Sequence, residues 1–514
     1  MEGTSLGLVI TGIVTLPFSL VVAFLSQLTM LIASDADPRS VERGLRVVSR
    51  PNQDHSYQGC TILVTGLSMA KSLTLARAFH LCGYRVIGAD FEGSCIPCPG
   101  RYSKALSRFW PLASRAASGG ATSYAEQLVK IVKTERVDLW VSCSGVASAV
   151  EDARAKELIE HQTPCTCVQL DIETTSKLHE KSSFIRHIRS LGLLAPETHD
   201  VTSAEDVLRI LSGSVSLEPE RKFILKPVGV DDAHRGDMTL FPLGSPSETR
   251  TYVHGLPISH TKPWILQEFI PGGEEYCTHA LVVRGEVRVF VACPSAELLM
   301  HYRALPATSA LSRSFLSFTR QLIARSPGSE LWTGHLSFDF MVAEGKADEN
   351  RFEKRIYAIE CNPRAHTATV LFSQYGPEMT AMVNAYISAL RAGSTSGSDR
   401  CELLAISDDA GDQLVVPPVE TPPRYWLGHD LVVLILHRAC LLLIGRASLK
   451  ELVAGCVTFA AHVYEWKEGT FATWDPWPAV ILYHVYWPMS ILSVWWQGDR
   501  WSRLNVSTTK MFGM

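Results

Sequence analysis

The chain has 514 residues, which is enough for about three domains. Its 48 lysines and arginines against 52 aspartates and glutamates give a formal net charge of −4 without a basic stripe, so we do not expect nucleic-acid binding. The 13 cysteines follow no repeating frame, and the close pairs Cys95/Cys98 and Cys165/Cys167 lack the partner pair of a zinc site, which favours free thiols in a reducing compartment.

The first element is an apolar segment without a charged residue, from Leu6 to Ala33. As a helix it would exceed the roughly 30 Å of a hydrocarbon core, and Pro17 permits a kink. No basic region precedes it, no clear cleavage site follows it, and the next charged stretch is rich in arginine. Residues 1–58 therefore predict a membrane anchor with a basic juxtamembrane segment, and the rest of the chain in the cytosol. A removed signal peptide and an interfacial helix are the alternatives.

Residues 59–170 predict a Rossmann-like domain. The segment "CTILVTGLSMAKSLTLARAFHLCGYRVIGADFEG" has the pattern of a strand, a turn at Gly66, a helix ended by Gly83 and a second strand. "RVDLWVSCSG", from Arg136 to Gly145, predicts a later strand of the same sheet. The Gly-x-Gly-x-x-Gly fingerprint is absent, so NAD is not expected.

Residues 171–391 alternate helices and strands. "KLHEKSSFIRHIRSLG" predicts one helix that ends at Gly192, and "FILKP" and "WILQEFI" predict buried strands. A hairpin is expected around Arg284–Gly285. "TGHLSFDFMVAEG" and "RIYAIECNP" predict a strand pair, separated by a solvated loop at Lys346–Lys354.

The last quarter of the chain changes in composition. Residues 392–424 are rich in Ser, Gly, Asp and Pro and predict a linker. Residues 425–514 are apolar and aromatic, but His, Arg or Pro interrupts each long apolar run. Either a segment at the membrane interface or a docked helical cap fits this pattern.

Polar residues interrupt the apolar strands in a way that points to phosphate chemistry. Glu360, Asn362, Arg364 and His366 occupy alternate positions and so share one face of a strand, where they either pair with one another or face a charged ligand. Asp339, inside "LSFDF", is a carboxylate between two phenylalanines. Carboxylate and amide oxygens are the ligands that Mg²⁺ prefers. Lysines on two separate elements could hold phosphates. The backbone of "WILQEFI" could bind an adenine edge, and a following glutamate could bind the ribose.

The motifs "HEKSSF", "FILKP", "QEFIPGGEEY", "SFDF" and "IECNPR", in this order over residues 59–391, resemble the ATP-grasp superfamily. The resemblance implies an α/β fold: a Rossmann-like pre-ATP-grasp domain (59–170) and an ATP-grasp domain of α+β type (171–391). It also implies ATP and two Mg²⁺ ions, for which Mn²⁺ can substitute. The implied ligands of the metal are Asp339, Glu360 and Asn362. The implied ATP-binding residues are Lys181, Lys226, Gln267, Glu268, Phe269, Ile270 and Glu275. Arg364 matches the arginine that faces the γ-phosphate or an acyl phosphate, and Lys226 and Arg288 complete the predicted catalytic set.

Within that superfamily the chain is most similar to mycosporine-glycine synthase-like enzymes. The likeness includes the apolar leader, "YAIECNPRAHTATVLF" and the start of the C-terminal region at Tyr425, Trp426, His429 and Asp430. The hinge has one extra residue around Gly273, and the segment after Lys226 lacks a poly-glycine lid.

The function implied by this resemblance is an ATP-dependent C–N ligase of secondary metabolism. It would phosphorylate a small-molecule acid, or a cyclohexenone that acts as a vinylogous acid, and couple it to the amine of an amino acid. His279, Arg288 and His366 are candidates for holding the acceptor. The alternatives are an amino-acid or peptide-bond ligase of a fungal alkaloid pathway, a carboxylase, and a non-catalytic, membrane-bound nucleotide-binding scaffold.

Overall fold

The computed structural model describes residues 16–26, 28, 59–92, 96–113, 123–143, 149–217, 221–228, 237–295, 300–343, 355–373, 375–390, 413–498 and 501–513. Most of the predicted anchor, the loop at Lys346–Lys354 and most of the predicted linker lie outside these residues. Residues 16–26 are helical. None of the helices in the described ranges combines the length and the apolar character needed to cross a membrane.

The first lobe is a five-stranded parallel sheet with helices packed against it. Its strands follow the spatial order β3-β2-β1-β4-β5, which is the order of the first five strands of a Rossmann fold. The strands are β1 (Thr61–Thr65), β2 (Arg85–Phe91), β3 (Arg108–Leu112), β4 (Leu139–Val141) and β5 (Thr166–Val168), and the helices are α1 (Ala70–Leu81), α2 (Tyr124–Glu135) and α3 (Ala149–Gln162). All of β1 is buried, as expected of a central strand covered on both faces. Gly66 has φ +77°, and a Cβ there would lie 2.8 Å from the Cys143 carbonyl oxygen, which explains the glycine at the β1–α1 turn.

A small antiparallel sheet follows, with the spatial order β6-β9-β7-β8. The elements of this region are α4 (Ile172–His179), α5 (Lys181–Ser190), β6 (Thr198–Val201), α6 (Ala204–Leu217), β7 (Phe223–Pro227), β8 (Leu240–Phe241), α7 (Pro246–His254) and β9 (Trp264–Glu268). The single helix predicted up to Gly192 is wrong, because the chain is extended at Glu180 and two helices form. The Glu180 carboxylate accepts hydrogen bonds from the backbone N–H groups of Ser182 and Ser183 at 2.9 and 2.7 Å and so caps α5.

The second antiparallel sheet carries the strand pair predicted from the two apolar segments. Its spatial order is β11-β10-β13-β14, and the hairpin predicted at Arg284–Gly285 is confirmed. The elements are β10 (Glu274–Val283), β11 (Glu286–Pro294), β12 (His301–Tyr302), α8 (Ala310–Arg325), β13 (Gly334–Ala343), β14 (Arg355–Asn362) and α9 (Pro377–Ile387). Phe338 and Phe340 are fully buried and pack against phenylalanines of α8, so one face of this sheet is core.

The C-terminal region packs on the rest of the chain through short elements. These are β15 (Arg424–Tyr425), α10 (Leu427–Asp430), α11 (His437–Leu443), α12 (Leu449–Glu465), β16 (Lys467–Glu468), α13 (Trp477–Ile481), α14 (Trp487–Trp496), β17 (Trp501–Asn505) and β18 (Lys510–Gly513). Strand β15 joins β12 and β16 in a three-stranded sheet. Trp426 and Trp487 are buried in the same core cluster as β1 and α1, so this region is docked on the first lobe. Some apolar side chains on the outer face stay exposed, among them Tyr464 and Trp496.

Candidate active site

The carboxylates predicted to bind metal lie side by side on two paired strands. Asp339 of β13 is opposite Glu360 of β14, and Ser337 is opposite Asn362. The register shifts between Asp339 and Phe340, which is a β-bulge. Because of the bulge, Ala358 and Cys361 both face the core although they are three residues apart, while Glu360 and Asn362 share the opposite face with Asp339.

Two cations complete this cluster. The Asn362 amide nitrogen donates to Asp339 Oδ2 at 3.2 Å, and an Arg364 guanidinium nitrogen donates to Asn362 Oδ1 at 2.6 Å. Lys181 Nζ, at the start of α5, lies 3.3 Å from Glu360 Oε2. Three elements that are distant in sequence thus bring together five of the predicted residues. Strand β14 ends at Asn362, and the Arg364 side chain bonds back to Asn362 rather than continuing the strand face.

The local electrostatics suit a divalent cation. Burial, and then the negative charges of Glu360 and Glu275, raise the pKa of Asp339 from 3.8 to about 8, against a smaller lowering by Arg364 and Lys181. Neighbouring carboxylates destabilise one another's charge unless a cation lies between them. The donor set consists of oxygens only, two carboxylates and an amide, which fits Mg²⁺. The residues present therefore fit the metal that the sequence pattern predicts.

A second group of predicted residues lies on the neighbouring sheet. Lys226 Nζ, on β7, donates to Gln267 Oε1 of β9 at 3.1 Å, and the Gln267 amide nitrogen donates to Thr198 Oγ1 at 3.1 Å. Gln267 is 3% exposed, so its buried side chain orients the lysine through this hydrogen bond. The structure thus brings Lys226 and Gln267 together on the sheet next to the one that carries Asp339.

The predicted adenine-binding segment is partly occupied by its own contacts. The backbone N–H groups of Glu268 and Phe269 donate to the carbonyls of Glu197 and Lys222, at 2.7 and 2.8 Å. The Glu268 carboxylate pairs with Arg221, with a nitrogen–oxygen distance of 3.1 Å. In this conformation these two N–H groups cannot also donate to a nucleobase. Ile270, which is 6% exposed, follows directly.

Glu275 and Arg288 lie at different distances from the cluster. Glu275 is on β10, two residues from Cys277, which is opposite Asp339, and its charge acts on Asp339. Its carboxylate accepts a hydrogen bond from Ser295 Oγ at 3.0 Å. Arg288 is on β11, five residues before Cys293, which is opposite Cys277. At about 3.4 Å per residue, its backbone is roughly 17 Å along the sheet from the level of Asp339, so the structure does not bring Arg288 into the cluster.

One residue of this region had no role predicted from the sequence. Lys71, on α1, is 3% exposed, and its Nζ donates to the carbonyl oxygen of Ala365 at 2.7 Å. Burial, and then the nearby Arg364, lowers its pKa from 10.5 to about 7. The signal in the sequence is a lysine within the apolar helical segment "SMAKSLTLARAF". The histidine candidates lie beside it: the backbone N–H of His366 donates to His279 Nδ1 at 3.3 Å, and burial lowers the pKa of His279 to about 3.

Among known proteins, matches to this chain are found in solved structures. No family model and no curated protein matches the chain. Among solved structures, an ADP complex of N5-carboxyaminoimidazole ribonucleotide synthetase matches with a TM-score of 0.44 and 16% identity, over 64% of this chain and 76% of that one. A phosphoribosylamine–glycine ligase of Thermotoga maritima matches with a TM-score of 0.43 and 14% identity, over 71% of this chain and 78% of that one. N5-carboxyaminoimidazole synthetase of Staphylococcus aureus has a TM-score of 0.41 and 14% identity, over 60% of this chain and 71% of that one.

Proposed function

We propose that this chain is an ATP-dependent C–N ligase, which phosphorylates a carboxylic or vinylogous acid and couples it to an amino-acid amine. The observation that carries the proposal is the meeting of Asp339, Glu360 and Asn362 with two cations, Lys181 and Arg364, at one face of a sheet. The resemblance to ATP-grasp enzymes implies this arrangement for a magnesium–nucleotide complex. The secondary-metabolite setting rests on the resemblance alone.

Each residue of the cluster has a role in handling phosphate charge. Asp339, Glu360 and Asn362 would hold Mg²⁺, which when bound neutralises phosphate oxygens during transfer. In the structure Lys181 pairs with Glu360, and Lys226 is oriented by Gln267. Both lysines would exchange these partners for phosphate oxygens of the nucleotide. Arg364, held on Asn362, would face the group being transferred.

The reaction would proceed in two steps. In the first, a carboxylate oxygen of the acid attacks the γ-phosphorus of ATP, the bond to the bridging oxygen breaks, and ADP leaves with that electron pair. In the second, the amine attacks the carbonyl carbon of the acyl phosphate, inorganic phosphate leaves, and the nitrogen loses a proton. Catalysis is then mostly positioning and electrostatic stabilisation, which needs no nucleophilic serine or cysteine.

Amine-dependent release of ADP tests the proposal. The purified chain would be supplied with Mg²⁺, ATP and panels of carboxylic acids, cyclohexenones and amino acids, and ADP and coupled products would be measured. We expect ADP only when a matching acid and amine are both present. If ADP is released equally with and without an amine for every acid tested, the ligase proposal is contradicted. That result would favour an ATPase or a carboxylase.

Replacement of a metal ligand provides the matched test at the residue level. Glu360→Gln should lower the rate by about 10²- to 10³-fold, on the order of 3–4 kcal/mol of barrier, because the carboxylate charge is lost at the phosphate site. Glu286→Gln is the control, since Glu286 is an exposed glutamate at the start of β11 in the same sheet. Equal activity of the two variants would remove Glu360 from the proposed site.

A further inference from the structure

A second group of potential metal ligands lies outside the candidate active site. His301 of β12, Asp430 at the end of α10 and His462 of α12 each offer one ligand atom, and these atoms all lie within 4.8 Å of one another. His301 Nε2 is 2.8 Å from Asp430 Oδ1, and His462 Nδ1 is 2.6 Å from Asp430 Oδ2. Two separate imidazoles therefore aim a ring nitrogen at the same carboxylate.

The carboxylate of this triad is buried, whereas both imidazoles are partly exposed to solvent. The Asp430 side chain is fully buried, whereas His301 and His462 are 15% and 14% exposed. The Trp466 ring packs on His462 with a centroid distance of 4.4 Å and contacts the edge of His301 at 5.4 Å. Among the described residues, the ion-pair partners of Asp430 are these two imidazoles, and no lysine or arginine is at ion-pair distance.

We propose that His301, Asp430 and His462 bind a divalent transition-metal ion of the Zn²⁺ class, with water as a fourth ligand. Two imidazoles and one carboxylate form the donor set that such ions accept in three-ligand sites. Metal–ligand bonds of about 2.0–2.2 Å need ligand atoms about 3.3–3.5 Å apart, so changes of about 1 Å in the distances between these atoms would admit the ion. The imidazole protons that now face Asp430 would be released or moved to the other ring nitrogens.

The position of the site would let a bound ion connect two parts of the chain. Strand β12 belongs to the part of the chain that carries the active-site sheet, whereas Asp430 and His462 belong to the C-terminal region. Residue His301 is also opposite Tyr425 in the strand pair β12–β15. A bound ion would therefore link the C-terminal helices to the rest of the molecule beside the strand pair β12–β15. This proposal does not depend on the ligase activity.

Metal content of the 514-residue chain tests the proposal. The protein would be purified without a polyhistidine tag, treated with a chelator, and titrated with Zn²⁺ against a chromophoric chelator, with bound metal measured by mass spectrometry. We expect about one tightly bound Zn²⁺ per chain. Co²⁺ in its place should give the intense visible d–d absorption of a four-coordinate ion.

Variants separate this site from the active site. Asp430→Asn and His462→Gln should weaken Zn²⁺ binding by at least tenfold and remove the Co²⁺ absorption, whereas Glu360→Gln should keep both. His254→Gln, an exposed histidine at the end of α7, is the control for non-specific binding. A wild-type chain that holds no Zn²⁺ after titration, or an Asp430→Asn variant that binds it equally, would overturn the proposal. The absence of bound Zn²⁺ in the wild type would overturn the proposal even if a variant fails to fold.

Discussion

At the scale of single residues, Lys71 shows how a buried charge connects the first lobe to the candidate active site. Its Nζ donates to the Ala365 carbonyl, three residues after Asn362, and its pKa is lowered by burial and by Arg364. A lysine that is almost fully removed from water is costly to charge. The hydrogen bond therefore holds the segment after β14 against α1. Because the pKa of this buried lysine is lowered, the stability of the fold depends on pH.

The pH dependence of stability should identify this lysine. The unfolded chain keeps the Lys71 proton up to its ordinary pKa of 10.5, whereas the folded chain releases it near 7. Between these values the unfolded state binds more protons, so the free energy of unfolding rises with pH. From pH 7 to pH 9 we expect the wild type to gain about 2 kcal/mol relative to Lys71→Met. Urea unfolding at both pH values measures this, and a difference that does not change with pH would contradict it.

At the scale of elements, the strand pair was predictable and the helix break was not. Polar residues at every second position of an apolar run predict one polar strand face, and the structure places Glu360 and Asn362 there. The bulge beside Asp339 leaves no such signal, because the extra residue, Ile359, is apolar like Ala358 before it. The break at Glu180 was missed because helical spacing continues through it. Glutamate is not among the residues preferred at helix N-caps, so Glu180 in "HEKSS" gave no sign of a cap.

The cap at Glu180 should matter for function because it positions Lys181. Glu180→Ala should destabilise the protein by about 1 kcal/mol and raise the KM for ATP several-fold. Asp171→Ala is a matched control, since Asp171 caps α4 by accepting a hydrogen bond from Thr174 N at 2.8 Å, and α4 ends before the lysine. Chemical unfolding and ATP kinetics of both variants test this. An equal effect on KM would show that α5 does not orient Lys181.

At the scale of the whole molecule, the C-terminal region is held to the first lobe by a buried ion pair. Arg77 Nε donates to Asp475 Oδ2 at 2.9 Å, and Ser103 Oγ donates to the same oxygen at 2.6 Å. The Asp475 side chain is fully buried. The sequence left the choice between an interfacial membrane segment and a docked cap open, because it does not show pairs that are 398 residues apart. The buried pair and the shared core favour the docked cap for the part of this region that the structure describes.

Removal of one partner of this ion pair should be strongly destabilising. Asp475→Asn leaves the Arg77 guanidinium buried without its counter-charge, for which we expect a loss of about 3 kcal/mol or more in the free energy of unfolding. Asp200→Asn is the control, because Asp200 forms an exposed pair with Arg186 at 3.2 Å that should contribute less than about 1 kcal/mol. Thermal and denaturant unfolding compare them. Similar losses for the two variants would mean that Asp475 does not hold the C-terminal region.

The account as a whole depends on one claim, that the face shared by Asp339, Glu360 and Asn362 binds a magnesium–nucleotide complex. Calorimetric titration of a non-hydrolysable ATP analogue, with and without Mg²⁺, measures this binding without any knowledge of the acid or the amine. We expect one site per chain that requires Mg²⁺ and is lost in the double variant Asp339→Asn, Glu360→Gln. Binding that ignores both Mg²⁺ and these two substitutions, or no binding at all, would contradict it.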